Sequence, residues 1–196
     1  MDSQETPQSA ALFALQEYRS LRKTIQTRGS LRFTLAAATW FVWAALSLWC
    51  WTSVAGSMAG LIPLFVLVAG FEAVLSLHTG VERIGRYVQR MFEAGGAAPP
   101  AWEHVAVAMG PRWLSPGGLD PVFSLVFVAA AWLNFIPSAA GADRLQFGVV
   151  AVTHLAFVLR VLMARRFVAR QRAADIAALE SAISSNSLVS RIQQPR

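Results

Sequence analysis

The sequence predicts an all-α integral membrane protein, a four-helix bundle of two parallel helical hairpins with amphipathic and interfacial helices on its cytoplasmic side. Three observations predict it. Over 196 residues the chain is 55% hydrophobic and only 14% charged, whereas about a quarter of the residues of a soluble domain are charged. Its apolar residues gather into four long runs, not the short alternating runs of half-buried strands. The basic residues fall almost wholly to one side of those runs, as they do in the cytoplasmic segments of membrane proteins.

The first run, Leu35 to Val54 (LAAATWFVWAALSLWCWTSV), carries no charge. About 20 apolar residues at 1.5 Å rise cover a hydrocarbon core. A long polar segment precedes the run, which exceeds the roughly 7 to 15 residues of a cleaved signal, so it is expected to stay in the mature protein. Gly56, Ser57 and Gly60 mark a turn. The GxxxG formed by the two glycines reads there as a loop signal more than a helix-pairing one. The second run, Met58 to Leu77, is apolar apart from Glu72. Past His78, the spacings of Val81, Ile84, Val88 and Met91 extend the helix to Glu93. Ala94 to Pro100 ends it, and Trp102, Val105, Ala106 and Met109 predict a short interfacial helix. Trp102 and Trp113 would sit at headgroup depth.

Asp120 as N-cap and Pro121 at the first helical position announce the third span, Pro121 to Ile136, which Pro137 closes. After a second external turn, Leu145 to Leu159 forms a fourth run interrupted by Gln146, Thr153 and His154. At about 15 residues it is short for a crossing. Arg160 has to snorkel and Val161 to Ala164 complete it.

The N-terminal segment holds Arg19, Arg22, Lys23, Arg28 and Arg32, the central loop Arg83, Arg86, Arg90 and Arg112, and the C-terminal segment Arg160 to Arg196. Only Arg144 remains for the external turns. Both termini are therefore expected in the cytoplasm of a bacterial-type inner membrane. The segments predicted are a cytoplasmic amphipathic helix (1–30), a first transmembrane hairpin (31–78), a helix extension with the interfacial helix (79–120), a second hairpin (121–164) and a basic helix and tail (165–196). Leu12, Leu15, Tyr18, Leu21 and Ile25 form an apolar stripe on the first of these, with a break expected at Gly29 and Ser30. Ile176, Leu179 and Ile183 form another, after which the polar end is expected to fray. Both helices could dock on each other or on a partner, but basic amphipathic helices favour anionic lipid. FTL at Phe33 and FSL at Phe123, each with a tryptophan downstream, hint at a duplication, although such short matches also arise by chance.

Glu72 is the leading candidate for chemistry, because an ionisable side chain within an apolar span costs about 2.5–3.5 kcal/mol on insertion scales and demands a partner or a proton. His154 reaches a similar depth on the fourth run and is its expected partner. Glu72, Ser76, Thr79, Arg83, Arg86 and Arg90 alternate at spacings of four and three, one continuous helix face. Such a polar seam serves either as a hydrated path or anionic-ligand groove, or as hydrogen-bonding glue between helices.

His78 reads as an interfacial residue with water access and His104 as a solvated one. Trp40 and Trp43 fall deep in the first span, to pack in core or lipid or to face a ligand. Asn134, Thr39, Ser47 and Ser124 read as interhelical hydrogen-bonding residues without chemistry. Cys50 is alone, and neither HExxH nor CxxCH occurs, so no metal or cofactor is expected. Phosphate loops, dinucleotide fingerprints and nucleophile elbows are missing too, which argues against an enzyme. The net charge of +6 is read as orientation, not nucleic-acid binding. The expected function is a non-catalytic subunit or scaffold of a membrane assembly, with protein partners or copies of itself; the alternative is a small oligomeric channel or transporter using the seam.

Overall fold

The computed structural model describes residues 7–53, 56–93 and 121–192. Helix α1 runs from Pro7 to Ser53, and a 3-10 turn at Ser57–Gly60 leads into α2, Leu61–Val88, which a π-helical turn at Gln89–Glu93 prolongs. Helix α3 is Pro121–Ala139 and α4 is Arg144–Ile192. Among the described residues there is no strand, and all four helices are long and apolar enough to cross a membrane. The interfacial helix expected at Trp102 and the cap expected at Asp120 lie outside the described residues, as do His104, Arg112 and Trp113.

The expected break at Gly29 and Ser30 does not occur: α1 is one helix of 47 residues. A glycine inside a helix costs only about 1 kcal/mol relative to alanine, and Ser30 Oγ turns back to donate to the Gln26 carbonyl at 3.2 Å without interrupting the ladder. Likewise α4 continues for 49 residues to Ile192, past the point of expected fraying. Ala173, Ala174, Ala177, Ala178 and Leu179 supply strong helix formers there. Pro137 does not close α3 but sits in its last turn; the helix stops at Ala139, ahead of Gly141 with φ 75°. There the missing N–H of proline removes only one bond of a terminating ladder.

Helix α2 is the hub. Leu64, Leu67, Phe71 and Leu75 join Trp43 of α1, Phe127, Ala130 and Ala131 of α3, and Phe157, Val161, Ala164 and Val168 of α4 in one core. Phe71 stands edge-on to Phe127 and Phe157, with centroids 5.3 and 6.0 Å apart, spacings that add to plain area burial. Two glycines let backbones approach. A methyl group at Gly70 would overlap the side chain of Thr39 on α1, and one at Gly60 would overlap Ser138 on α3. Gly56, with φ 143°, turns the chain before α2, consistent with its loop assignment. The Glu72 to Arg160 and Arg86 to Asp175 bonds between α2 and α4 join residues 88 and 89 positions apart, so these two helices run in the same direction.

Opposite its buried stripe, α2 presents Ile62, Phe65, Ser76 and Arg83 to the outside, with Glu72 and Thr79 half-exposed between them. The predicted polar seam is thus an outer face of the bundle as far as Arg83. Arg86 turns in toward α4, and the side chain of Arg90 lies outside the described residues.

Candidate functional site

Three groups of polar side chains tie the helices together, at three levels. Nearest the turns, Asn134 of α3 is wholly buried. Its Nδ2 donates to the Gly60 carbonyl at 2.8 Å and to His154 Nε2 at 3.0 Å, while Ser47 Oγ donates to its Oδ1 at 3.5 Å. His154 Nδ1 donates to the Val150 carbonyl at 2.7 Å. These partners fix the imidazole as the neutral tautomer with its proton on Nδ1, since Nε2 must accept. One amide therefore joins α1, the start of α2, α3 and α4.

Lower in the apolar stretch, Glu72 Oε2 accepts from Arg160 Nη2 at 2.8 Å. This corrects the expected Glu72 to His154 pair. His154 faces inward to Asn134, whereas Glu72 lies on the outward side of α2 and meets the one cation that α4 carries at that level. The same bond ties the Arg160 guanidinium to α2. With the charge countered there, the apolar run of α4 extends through Ala164. Both side chains keep about two-fifths of their surface exposed, 42% for Glu72 and 38% for Arg160.

Beyond the apolar stretches lies a charged network. Arg32 Nη1 of α1 lies 2.8 Å from His78 Nδ1. Arginine only donates, so Nδ1 accepts and the ring proton sits on Nε2, which is 4.0 Å from Glu82. His78 is therefore buried against α1 and not water-exposed as expected. Arg86 Nη1 binds Glu82 at 3.0 Å and its Nη2 binds Asp175 of α4 at 2.6 Å, with Arg83 Nε at 3.4 Å from the same carboxylate. Burial raises the Glu82 carboxyl above its ordinary value, against the pull of Arg86, Arg172 and Arg32. At Asp175 burial also pushes upward, but the hydrogen bonds and charges of Arg86 and Arg83 outweigh it and hold the carboxyl below the usual range. Tyr87 Oη donates to Glu17 at 3.1 Å, and Tyr18 packs on Phe92 with centroids 5.6 Å apart, which fastens the N-terminal part of α1 to the end of α2.

Of the predicted site residues, Glu72, Ser76, Thr79 and Arg83 share one face, Arg86 belongs to the charged network, and His154 belongs to the Asn134 node. Ser76 offers its carbonyl to Thr79 Oγ1 at 3.1 Å, a local bond that leaves the seam without a chain of side-chain contacts. Arg32, Glu82 and Asp175 were not anticipated as members of a network. The i, i+4 spacing of Glu82 and Arg86 was a usable signal; the pairing with Asp175, 89 residues on, was not. Among the described residues no group of three His, Cys, Asp or Glu side chains could hold a metal ion. Comparison with protein-family models, with curated proteins and with solved structures finds no match for the chain.

Proposed function

We propose that the protein is a non-catalytic membrane scaffold or subunit, inserted as two parallel hairpins in a bacterial-type inner membrane with both termini cytoplasmic, and that partners dock on its projecting helices. One observation carries this reading: α1 and α4 continue unbroken beyond their apolar stretches. From Leu35 back to Pro7, and from Ala164 on to Ile192, each adds about 42 Å at 1.5 Å per residue. With the end of α2 they make a three-helix stalk, held by the Tyr87 to Glu17 and Arg86 to Asp175 bonds. Leu12, Phe13 and Phe167 are nevertheless exposed on it. Apolar side chains on a projecting helix suit a helix-in-groove contact with another protein.

The polar groups support a structural role. Asn134 with His154, His78 with Arg32 and Arg86 with Asp175 are engaged across helix boundaries, as interhelical hydrogen-bonding residues are. The seam also faces outward, so a conducting path would need a second copy to wall it. The partly exposed Glu72 to Arg160 pair fits burial against such a copy or another membrane helix, because charge at that depth is expensive in lipid.

The test is photocrosslinking in the native host, with a photoreactive residue replacing Phe13 or Phe167 and a second set at Phe41 as a span control. The reading requires a discrete protein adduct from the stalk positions, identified by mass spectrometry. Adducts to lipid alone from Phe13 and Phe167 would refute it.

A further inference from the structure

We propose that the cleft between α1 and α3 binds an anionic glycerophospholipid, an acyl chain lying along the cleft and the phosphate meeting Arg32; this rests on the membrane reading above. The cleft has a volume of about 550 Å³, within the roughly 300–1,000 Å³ of ligand pockets. Its floor and walls are apolar: Ala36, Trp40 and Ala44 on α1, Phe123 and Val126 on α3. The alanines leave the depth, and the rings raise the sides.

Arg32 stands one turn before Ala36 on α1, at the basic end of the cleft, with its guanidinium held by His78 of α2 at 2.8 Å. It lies over the rings of Phe33 and Phe123, 5.1 and 5.5 Å from their centroids, and Phe123 also lines the cleft. Among the described residues no carboxylate comes within 4 Å of Arg32; its one side-chain hydrogen bond is to neutral His78. Glu82, the nearest acid in the network, is bound by Arg86. Arg28, a turn earlier and exposed, lies with its guanidinium beside Gly80 of α2. Arg32 precedes Leu35 by three residues, about 5 Å along the axis, which puts it at headgroup level when the apolar stretch fills the core. A planar guanidinium next to an apolar cleft offers paired donors for phosphate oxygens together with cover for a hydrocarbon tail.

The experiment reconstitutes the full chain in phosphatidylcholine nanodiscs containing a small fraction of phosphatidylglycerol, with the acyl chains of one or the other lipid brominated. Trp40 emission is read as the difference between wild type and Trp40→Phe. Brominated phosphatidylglycerol should quench Trp40 at about fivefold lower mole fraction than brominated phosphatidylcholine, the factor expected from ~1 kcal/mol for one basic contact. Arg32→Gln should abolish the difference, and Arg170→Gln, an exposed cation far along α4, should preserve it. Ala36→Leu, which fills the cleft but keeps Arg32, should also abolish it and covers the case in which Arg32→Gln fails to fold. Equal quenching by the two lipids, a difference untouched by Ala36→Leu, or loss of the difference on adding millimolar inorganic phosphate would each overturn the proposal. So would a second protein helix found in the cleft by crosslinking from Phe41. Quenching by neither lipid would overturn the membrane reading as well, whereas the stalk adducts test only the scaffold reading.

Discussion

Asn134→Leu should be among the most damaging single substitutions in the bundle. The amide makes two short bonds, to the Gly60 carbonyl at 2.8 Å and His154 at 3.0 Å, while the 3.5 Å contact from Ser47 is at the limit of significance. Interhelical bonds in membrane proteins average ~0.6 kcal/mol and reach ~1.7, so the pair contributes about 1–3 kcal/mol. Leucine also strands the buried His154 Nε2 as an unsatisfied acceptor, which costs about 1–3 kcal/mol more. The expected loss is about 2–6 kcal/mol, read by far-UV circular dichroism as the bundle is unfolded with SDS in mixed micelles. His154→Leu alone strands the amide instead. The double variant strands neither against the other, so it should be no worse than the poorer single variant, with a coupling of about 1–2 kcal/mol. An Asn134→Leu protein within ~0.5 kcal/mol of wild type, or strict additivity in the cycle, would refute the assignment of this node as a structural clamp.

Glu72→Leu leaves Arg160 uncountered in the apolar stretch and should lower stability by about 2–3 kcal/mol on insertion scales; Glu72→Leu with Arg160→Leu should regain most of it in the same unfolding assay. Gly70→Leu drives a side chain into Thr39 and should destabilise by about 1–3 kcal/mol, and Thr39→Ala should rescue the smaller Gly70→Ala change in part. Asp175 is held below its ordinary value, so its stabilisation is complete above the unfolded carboxylate value of about 3.9 and disappears as pH falls through the lower folded value. Spin labels on the ends of α2 and α4 should therefore stay at one distance from neutral pH to below ~4 and separate only in stronger acid. Asp175→Asn should separate them at neutral pH.

Much of this architecture was legible in the order of residues. The four apolar runs became four helices, and the extension of α2 to Glu93 followed from Val81, Ile84, Val88 and Met91, because a periodicity of three and four survives whatever surrounds it. The placement of Glu72, Ser76, Thr79 and Arg83 on one face is legible for the same reason. Their environment was not. Whether that face turns inward depends on which helices flank α2, and residues 72 and 160 are joined only after 88 positions of intervening chain. With Arg160 placed at the boundary, His154 fell level with Glu72 by count, but the bond puts Arg160, six residues or roughly 9 Å further on, at that level, because the register of one helix against another is no more encoded locally than its rotation. Gly29 misled because a breaker signal is a local tendency of about 1 kcal/mol, which a long helix with partners on either side overrides.

The uninterrupted α1 has a mechanical meaning. Its 47 residues form a rod of about 70 Å at 1.5 Å per residue, with no hinge between the stalk and the opposite end of the bundle. A hinge at Gly29 would have let a bound partner tug on the stalk while the rest stayed still. Without one, and with α1 fastened to α2 at Glu17, Tyr18, Arg32 and Thr39, a displacement at Phe13 has to be carried by the two helices together. A twist would be delivered through the same rod as torque. α1 and α2 are thus joined as one stiff element over most of the length of α2.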